Sequence, residues 1–289
     1  MLSNYKIAGR ILLFICLGLA TACSKSDNGP DSPPETNNPG NGDKTALKIT
    51  SNATFGSILT DGNGKALYFF APDVKGTSTC TGGCEAIWPV FYAEDGTLPS
   101  GITATDVATI TRADGKKQST YKGWPLYYYA ADAAAADVKG DGVGGNWFVA
   151  KPDYTIMLGE GQLVGQDGKN YTADTKEGTG NTRYLTDAAG RTLYAFAPDT
   201  YNKNTYTAPD LSNDAVWPIF GPAEIVVPSV IDKAEVMKIT AVGRTQFSYK
   251  GHPLYYFGPD TNRGDTKGVS VPSPGVWPIL TLNSPALEP

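Results

Sequence analysis

Short runs of apolar residues alternate with clusters of Gly, Asn, Asp and Pro along most of the chain. Aromatic residues are frequent in these runs, and short aromatic runs bounded by turn formers are typical of β-strands. Three clusters have the composition of tight hairpin turns: Asp61-Gly62-Asn63-Gly64, Ala113-Asp114-Gly115-Lys116 and Asp187-Ala188-Ala189-Gly190. The segment 230–237 is the one modest helix candidate after the N-terminal region. The pattern therefore predicts an all-β protein made of antiparallel strands.

An aromatic motif occurs four times, at intervals of roughly 60 residues. It consists of Tyr, any residue, an aromatic residue, any two residues and Asp, and a Leu precedes each copy. The motif residues are Tyr68, Phe70 and Asp73; Tyr127, Tyr129 and Asp132; Tyr194, Phe196 and Asp199; and Tyr255, Phe257 and Asp260. This repetition predicts a protein assembled from similar structural units.

A longer repeat relates two halves of the chain. The sequence Tyr-Lys-Gly-x-Pro-Leu occurs at 121–126 and again at 249–254. The tryptophans follow the same period: Trp88 corresponds to Trp217, and Trp147 to Trp277. We therefore expect two similar tandem domains, each built from two antiparallel β repeats. Their predicted bounds are 46–160 and 175–289, with the boundary in the glycine-rich, polar segment 159–180.

The geometry of a β-strand allows two interpretations of the aromatic motif. Side chains two residues apart lie on the same face, so the Tyr and the second aromatic residue share one face, and Leu and the residue after Tyr share the other. Such a run packs on both faces, and the Asp is suited to accept backbone N–H groups in the following turn. In the structural interpretation the motif belongs to the core. In the functional interpretation the four Tyr and four Asp residues form sites.

The N-terminus has the features of a bacterial export signal. Lys6 and Arg10 accompany the apolar run 11–20, which is too short to span a bilayer comfortably. The sequence Ala20-Thr21-Ala22-Cys23 resembles a lipobox, which implies cleavage before Cys23 and acylation of that residue. An ordinary secretory signal with a chance cysteine is the alternative.

Residues 1–22 are therefore predicted to be a lipoprotein signal peptide, and residues 23–45 a flexible tether. Most of the tether consists of Pro, Gly, Asn, Asp and Ser, and residues 24–43 include no large apolar residue. Such a segment cannot bury enough surface to offset the entropy lost on ordering. We expect it to hold a folded body at the cell envelope, attached by lipid to the outer membrane of a Gram-negative bacterium.

Composition and charge limit the partners. The chain has 33 Gly and 21 Pro, and 11% of its residues are aromatic, which favours short strands and many turns. Its formal net charge is -5. That acidity argues against a nucleic-acid partner and against binding to anionic lipid through a basic patch. We expect membrane contact through the lipid on Cys23, and no cofactor.

The combined motifs resemble a family of bacterial lipoproteins and secreted repeat proteins defined by the Tyr-x-aromatic-x-x-Asp pattern. The resemblance covers roughly residues 47–278 and includes the segment Cys80…Cys84…Trp88-Pro89. It implies an exported, repeat-built protein without an established biochemical activity or known catalytic residues. Pro209 and Asn213 stand in the second half where Cys80 and Cys84 stand in the first, so any role of the cysteine pair belongs to one half.

Cys80 and Cys84 are the cysteines that remain once Cys16 leaves with the signal and Cys23 is acylated. In an oxidising envelope we expect them to form a disulfide, and the intervening glycines give the backbone room to bring the sulfur atoms together. A redox-active pair and a metal-binding pair are the alternatives. Two thiols without a histidine pair make a poor zinc site, so no metal is predicted.

The remaining candidate residues are a histidine, two loops and three aromatic residues. His252, the only histidine, stands where Trp124 stands in the first half and is predicted to be a surface or packing residue. The loops 140–144 and 264–268 contain aspartates, but they lack the spacing of a calcium loop, and Asp-Gly turns explain them. Trp124, Tyr128 and Tyr256 belong to the densest aromatic clusters and are candidates to face a ligand such as a sugar ring.

These observations favour a lipid-anchored envelope protein that acts by binding or as a structural module, with an envelope glycan or protein as its partner. A redox or electron-transfer accessory that uses Cys80 and Cys84 is the alternative, and an enzyme acting on envelope glycans or peptides is the third. We predict no catalytic residue and favour a protein that is not an enzyme.

Overall fold

Antiparallel pairing accounts for every strand ladder in the computed structural model, which describes residues 46–94 and 98–289. The predicted signal peptide, Cys23 and the tether up to residue 45 lie outside the described residues. Within these ranges no helix is long and apolar enough to cross a membrane. The all-β prediction is confirmed.

Thirteen strands and one short α-helix make up the regular structure of the described residues, together with five 3-10 turns. The strands are β1 (Lys48–Asn52), β2 (Gly56–Thr60), β3 (Tyr68–Phe70), β4 (Val107–Thr111), β5 (Lys117–Tyr121), β6 (Trp124–Pro125), β7 (Trp147–Val149), β8 (Ile156–Val164), β9 (Asn170–Tyr171), β10 (Asn181–Asp187), β11 (Val236–Ala241), β12 (Arg244–Tyr249) and β13 (His252–Pro253). The helix, α1, spans Gly83–Ile87.

Small sheets repeat along the chain in corresponding order. The sheet β4-β5-β6 has its counterpart in β11-β12-β13, and the hairpin β1-β2 has its counterpart in the pair β8-β10. The pair β3-β7 and the strand β9, which extends the β8-β10 sheet, complete the set. The tandem relation predicted from the motifs thus appears in the strand pairing of the two halves.

An aspartate side chain closes two of the three predicted hairpin turns in the same way. Oδ1 of Asp61 accepts the backbone N–H groups of Asn63 and Lys65, both at 2.9 Å. Oδ1 of Asp187 does the same for Ala189 at 2.8 Å and Arg191 at 2.9 Å. An aspartate that satisfies its own turn in this way fixes the strand register locally, without help from distant residues.

The repeated Lys-Gly pair has a backbone explanation. Lys122 and Gly123 connect β5 to β6 with φ of 47° and 78°, and Lys250 and Gly251 connect β12 to β13 with φ of 51° and 80°. Two successive positive φ angles are the requirement of a type I′ hairpin turn. Gly123 is also sterically required, because a Cβ atom there would lie 2.7 Å from Nη1 of Arg263.

The two halves share part of their buried core. The described residues belong to a single compact unit, and one buried cluster combines Phe69, Val74 and Phe148 of the first half with Leu158 and Leu185 of the second. Burial of apolar surface between the halves therefore stabilises both together. The halves are repeats of sequence and of topology within one folded body.

The boundary segment differs from the prediction. Residues 159–180 form most of β8, the β9 strand and the turns between them, so the second half begins before Ile156. Ile156 and Leu158 are fully buried, and Gly159 lies where a Cβ atom would be 2.7 Å from Cγ2 of Val74. The glycine therefore allows β8 to cross closely over the first half, within the segment where the sequence placed the boundary between the halves.

The segment 230–237 does not form the helix that its pattern favoured. It contains a 3-10 turn, Lys233–Glu235, capped by the carboxylate of Asp232, and then enters β11. The β-branched residues that follow favour a strand, and pairing of β11 with β12 overrides the local helical preference.

An arginine joins the halves at their contact. The guanidinium of Arg263 donates from Nε to the carbonyl of Val74 at 3.1 Å and from Nη1 to the carbonyls of Lys122 at 2.7 Å and of Ala189. It also lies over the ring of Trp124, 4.9 Å from its centroid. The arginine of the second half thus binds backbone groups of both halves.

Candidate functional site

The tyrosines and aspartates of the aromatic motif form reciprocal pairs between repeats. The phenol of Tyr68 donates to Oδ2 of Asp132 at 2.6 Å, and the phenol of Tyr127 donates to Oδ2 of Asp73 at 2.5 Å. The backbones of the two tyrosines also exchange hydrogen bonds, at 2.8 and 2.9 Å. Each repeat therefore satisfies the motif aspartate of the other, and neither repeat is complete alone.

The second half repeats this arrangement. Tyr194 donates to Asp260 and Tyr255 donates to Asp199, each at 2.6 Å, and the two tyrosine backbones exchange hydrogen bonds at 2.9 Å. Tyr194 and Tyr255 have no exposed surface, and both aspartates are 4% exposed. The third and fourth repeats thus pair as the first and second do.

Backbone groups complete the coordination of the motif aspartates. Oδ1 of Asp73 accepts the N–H group of Thr79 at 2.7 Å and its hydroxyl at 2.6 Å, and Asp199 accepts the same two groups of Thr205, both at 2.7 Å. Oδ1 of Asp132 accepts the N–H group of Lys139 at 2.9 Å. Because both carboxylate oxygens are occupied in the interior, this geometry favours the structural interpretation of the motif.

Burial changes the acidity of the motif carboxyl groups. Desolvation raises the pKa of Asp73 and of Asp260 to about 6, although hydrogen bonds from Thr79 and Tyr194, respectively, act in the opposite direction. Burial also raises the pKa of Asp132 and of Asp199. The tyrosine partners have pKa values raised above 10 by burial first and by the neighbouring carboxylate second.

These shifts predict greater stability at mildly acidic pH. A carboxyl group with a raised pKa in the folded protein binds more protons folded than unfolded, so its contribution is present below pH 4 and is lost as pH rises to about 6. Asp73 and Asp260 each account for up to about 2–3 kcal/mol. Urea unfolding from about pH 4.5 to pH 7 should show the free energy of unfolding falling with pH.

The control for this pH dependence is Asp73→Asn, which removes one titrating group and should flatten the slope. Exposed Asp114 and half-buried Asp137 have lowered pKa values, so their stabilising contribution is lost only below about pH 4 and does not mask the effect. A free energy of unfolding that rises between pH 4.5 and pH 7 would contradict the raised pKa values of Asp73 and Asp260.

Four aromatic rings stack in a row in each half. In the first half Trp88 and Trp147 lie with ring centroids 3.8 Å apart and an interplanar angle of 2°. Tyr129 stacks on Trp88 at 4.4 Å and Phe70 stacks on Trp147 at 4.1 Å. The second aromatic residue of each motif therefore caps one end of the row, which gives this position of the motif its packing role.

The second row differs at its ends. Trp217 and Trp277 lie 3.6 Å apart at 6°, with Phe257 at 4.4 Å and Phe196 at 4.6 Å. Both ends are thus phenylalanine, whereas Tyr129 occupies one end in the first half. Tyr206 meets Trp277 edge-on at 4.6 Å.

Cys80 and Cys84 form the disulfide that the sequence predicted. Cys80 is 1% exposed and Cys84 is half-buried, in the same cluster as Trp88. Arg112 holds this loop, because its Nη2 donates to the carbonyl of Cys80 at 2.8 Å and its guanidinium pairs with Glu85. Because one sulfur atom is buried beside packed rings, the geometry favours a structural disulfide over a redox-active disulfide that exchanges with other thiols.

The second half stabilises the corresponding loop without sulfur. Oδ1 of Asn213 accepts the N–H group of Ala208 at 2.9 Å, and Nδ2 donates to the carbonyl of Tyr206 at 2.6 Å. The ring of Tyr206 packs on Phe196 and Trp277. A side-chain amide and an aromatic ring thus perform the task that the disulfide performs in the first half.

Removing the disulfide should destabilise the first half. We expect the variant Cys80→Ser/Cys84→Ser to lose about 2 kcal/mol of unfolding free energy, the chain-entropy value for so short a loop. The measurement is urea unfolding, with tryptophan fluorescence reporting on the packing of Trp88. Treating the wild-type protein with a reductant should reproduce the loss, whereas equal stability of both forms would show that α1 is held by Arg112 and packing alone.

An open cleft of about 540 Å³ lies where the halves meet. Its walls combine aromatic rings with charged groups of both signs. The lining residues are Asp106, Lys122, Tyr154, Thr155, Asp187, Ala188, Ala189, Phe220, Pro222 and Tyr256. The volume falls within the range of small-molecule sites, and the mixed lining is of the kind that orients a polar ligand on an apolar floor.

The three aromatic residues predicted to face a ligand lie in different environments. Trp124 is 2% exposed and its Nε1 donates to the carbonyl of Ala188 at 2.9 Å, so it packs between the halves and presents no ring to solvent. Tyr128 and Tyr256 are half-buried and donate to Asp61 and Asp187, respectively, each at 3.1 Å. Of the three, only Tyr256 lines the cleft.

The other candidate groups have local roles. Nε2 of His252 lies 3.0 Å from the carbonyl of Pro285. In the loops, Asp141 accepts the N–H group of Val149 at 2.8 Å and Asp265 pairs with Lys267 at 2.8 Å. Among the described residues, no group of three or more His, Cys, Asp and Glu side chains is placed to hold a metal ion.

Two arginines that organise the body escaped the sequence analysis. Arg112 is buried and Arg263 is half-buried, and each binds a carbonyl far away in sequence, 32 residues away for Arg112 and 189 for Arg263. No local pattern marks an arginine as a binder of distant carbonyls. Arg263 follows the fourth motif by three positions, where the other motifs have different residues, and this irregularity is the one signal available.

Comparison with known proteins gives one match. Residues 49–92, 108–151 and 236–281 each match the model of a family described as a secreted repeat of unknown function. The matched segments contain the first, second and fourth copies of the aromatic motif, and the third copy lies outside them. Neither the curated proteins nor the solved structures include a match.

Proposed function

We propose that the protein is an exported, lipid-anchored binding module of the cell envelope without catalytic activity. The proposal starts from the three segments of the chain that match the secreted-repeat family of unknown function. Membership of a secreted family indicates an extracellular or envelope location. The lipobox-like sequence ending at Cys23 and the tether that follows support anchoring to the outer membrane of a Gram-negative bacterium.

The motif tyrosines and aspartates face the interior, so a binding site has to be formed by other residues at the surface. Because the motif tyrosines and aspartates bind one another in the interior, they are not offered to a substrate. What the repeats supply is a rigid body of two paired halves. The feature that carries the proposal is the cleft where these halves meet, since it combines aromatic and charged walls from both of them.

The lining of the cleft suits an uncharged ligand rich in hydroxyl groups, such as part of an envelope glycan. The half-buried side chains of Tyr256 and Pro222 form apolar wall, and a sugar ring packs well on such a surface. Asp106 and Asp187 offer carboxylates that accept hydroxyl protons, and Lys122 adds an ammonium donor. An anionic ligand would meet both carboxylates, which disfavours it.

Anchoring is tested by metabolic labelling. Cells that express the protein are grown with an alkyne-tagged fatty acid, and the wild type is compared with Cys23→Ser. We expect the wild type to carry the label in the membrane fraction and the variant to lose both label and membrane association. Membrane-associated Cys23→Ser that still fractionates as wild type would refute anchoring through this residue.

Ligand binding is tested by filling the cleft. Ala189 is exposed in the cleft wall, so Ala189→Trp occupies the space without removing a hydrogen bond. Ala133→Trp, at an exposed position away from the cleft, is the matched control. With N-acetylhexosamine oligosaccharides as the probe, calorimetry should show binding by the wild type and the control and loss in Ala189→Trp. Equal binding by all three proteins, or by none, would reject the cleft as a glycan site.

A further inference from the structure

The aromatic row of the first half connects the protein surface to two buried phenol–carboxylate pairs. The row runs from the half-buried ring of Tyr129 through Trp88 to Trp147, with centroid separations of 4.4 and 3.8 Å. Trp88 is 3% exposed and Trp147 is 4% exposed. Rings that stack this closely have strongly overlapping π systems, so an electron can pass along the row without crossing intervening apolar space.

Each tryptophan of the row also touches a motif tyrosine. The ring of Tyr68 meets Trp88 edge-on at 5.4 Å, and the ring of Tyr127 meets Trp147 edge-on at 5.1 Å. The phenol of Tyr68 donates to Asp132 at 2.6 Å. A tyrosine loses an electron readily only when its phenolic proton leaves too, and a carboxylate held at this distance is a proton acceptor already in position.

Tyrosine and tryptophan are the side chains most easily oxidised by one electron among those packed here. In the first half each tryptophan of the row contacts at least one tyrosine ring. The second half keeps the stacked tryptophans and the tyrosine–aspartate pairs but ends its row at Phe257, which is 1% exposed. The first half therefore has an oxidisable ring stacked at one end of its row, whereas in the second half the oxidisable Tyr206 meets Trp277 edge-on at 4.6 Å. Phe257 shows that phenylalanine fits the position of Tyr129.

We infer that the aromatic row of the first half is an electron relay, which conducts one-electron oxidising equivalents from Tyr129 at the surface to the buried Tyr68–Asp132 pair. The reaction partner is a one-electron oxidant of the class of oxidised metal complexes, such as a ruthenium(III) polypyridyl complex, that approaches the half-buried ring of Tyr129. The function is distinct from ligand binding in the cleft and does not depend on it.

The relay moves one electron and one proton. The oxidant takes one electron from Trp88 through the stacked ring of Tyr129 and is thereby reduced. Tyr68 then gives one electron to the Trp88 radical cation, and its phenolic proton passes along the hydrogen bond to Oδ2 of Asp132. The products are the reduced oxidant, neutral Trp88, a neutral tyrosyl radical on Tyr68 and protonated Asp132. A one-electron donor reverses the step, with the proton returning to the phenol.

Flash photolysis of the purified full-length protein tests the relay. A ruthenium(II) polypyridyl complex, oxidised to ruthenium(III) by a flash and a quencher, serves as the oxidant. Transient absorption and electron paramagnetic resonance distinguish tryptophanyl from tyrosyl radicals. In the wild type we expect a short-lived tryptophanyl signal that converts to a long-lived tyrosyl signal, and the conversion should slow in deuterium oxide because a proton moves with the electron.

Three variants separate the relay from simple packing. Tyr68→Phe should lose the long-lived tyrosyl signal and leave the tryptophanyl signal. Asp132→Asn keeps an acceptor oxygen for the phenol but cannot take up the proton, so it should slow the conversion. Tyr129→Phe should slow the first oxidation, and it is the variant least expected to disturb folding because Phe257 occupies the same position in the second half.

The exposed Tyr201, which lies outside both rows, provides the control, and Tyr201→Phe should leave all signals unchanged. The proposal is overturned if the tyrosyl signal persists in Tyr68→Phe and disappears in Tyr201→Phe, since the radical would then lie on the surface. It is equally overturned if the Asp132→Asn variant has the near-ultraviolet circular dichroism of the folded wild type and the conversion in this variant is as fast as in the wild type.

Discussion

Replacing Asp73 by alanine is expected to lower the free energy of unfolding by about 2–4 kcal/mol. The side chain is fully buried and accepts the N–H and hydroxyl groups of Thr79 and the phenol of Tyr127. Alanine leaves the N–H group without its partner and opens a cavity between two repeats. The phenol keeps one contact, with Ser78 at 2.6 Å, which limits the loss.

Matched substitutions separate the hydrogen bonds from the charge. Asp73→Asn retains an acceptor oxygen for Thr79 and removes a carboxylate that burial makes costly, so its loss should be clearly smaller than that of alanine. Asp199→Ala should match Asp73→Ala, because Asp199 makes the corresponding bonds in the second half. Asp153→Ala, at an exposed position, should change stability little. If Asp73→Ala were as stable as Asp153→Ala in urea unfolding, the pairing of repeats through this carboxylate would be refuted.

Replacing Trp124 by alanine is expected to lower the free energy of unfolding by about 3–5 kcal/mol, the usual cost of deleting a buried indole. Its ring packs on Phe69 at 5.2 Å and under the guanidinium of Arg263, and its N–H group donates to Ala188 across the contact between the halves. The variant therefore weakens the contact between the two halves. We expect a large decrease in the free energy of unfolding measured with urea.

The pseudo-equivalent His252 is the matched control, since it is half-buried and bonded only to the C-terminal segment. His252→Ala should cost less than about 1 kcal/mol. Arg263→Ala, which removes the cation from the Trp124 ring and three donor contacts, should destabilise in the same direction as Trp124→Ala. A stable Trp124→Ala variant with weakened glycan binding would instead restore this residue as a ligand-facing ring.

The aromatic motif is local in sequence, whereas the contacts that its residues make are not. The four copies of the motif were visible in the sequence because the spacing of Tyr, aromatic and Asp is local. Which aspartate each tyrosine binds was not visible, because Tyr68 and Asp132 are 64 residues apart and the pairing crosses repeats. Exposure was equally hidden: Trp124 and His252 share a motif position, yet one is buried between the halves and the other is half-exposed.

The sequence by itself determined the elements whose energetics are local: the hairpin turns closed by Asp61 and Asp187, the Lys-Gly turns and the repetition of strands. These depend on backbone dihedral angles and hydrogen bonds within a few residues, so a short segment specifies them. Tertiary structure alone decided that the halves share a buried cluster, that β8 runs through the segment predicted as their boundary and that Arg263 joins the halves. Those outcomes depend on burial and on carbonyls up to 189 residues away, which no segment of the chain encodes by itself.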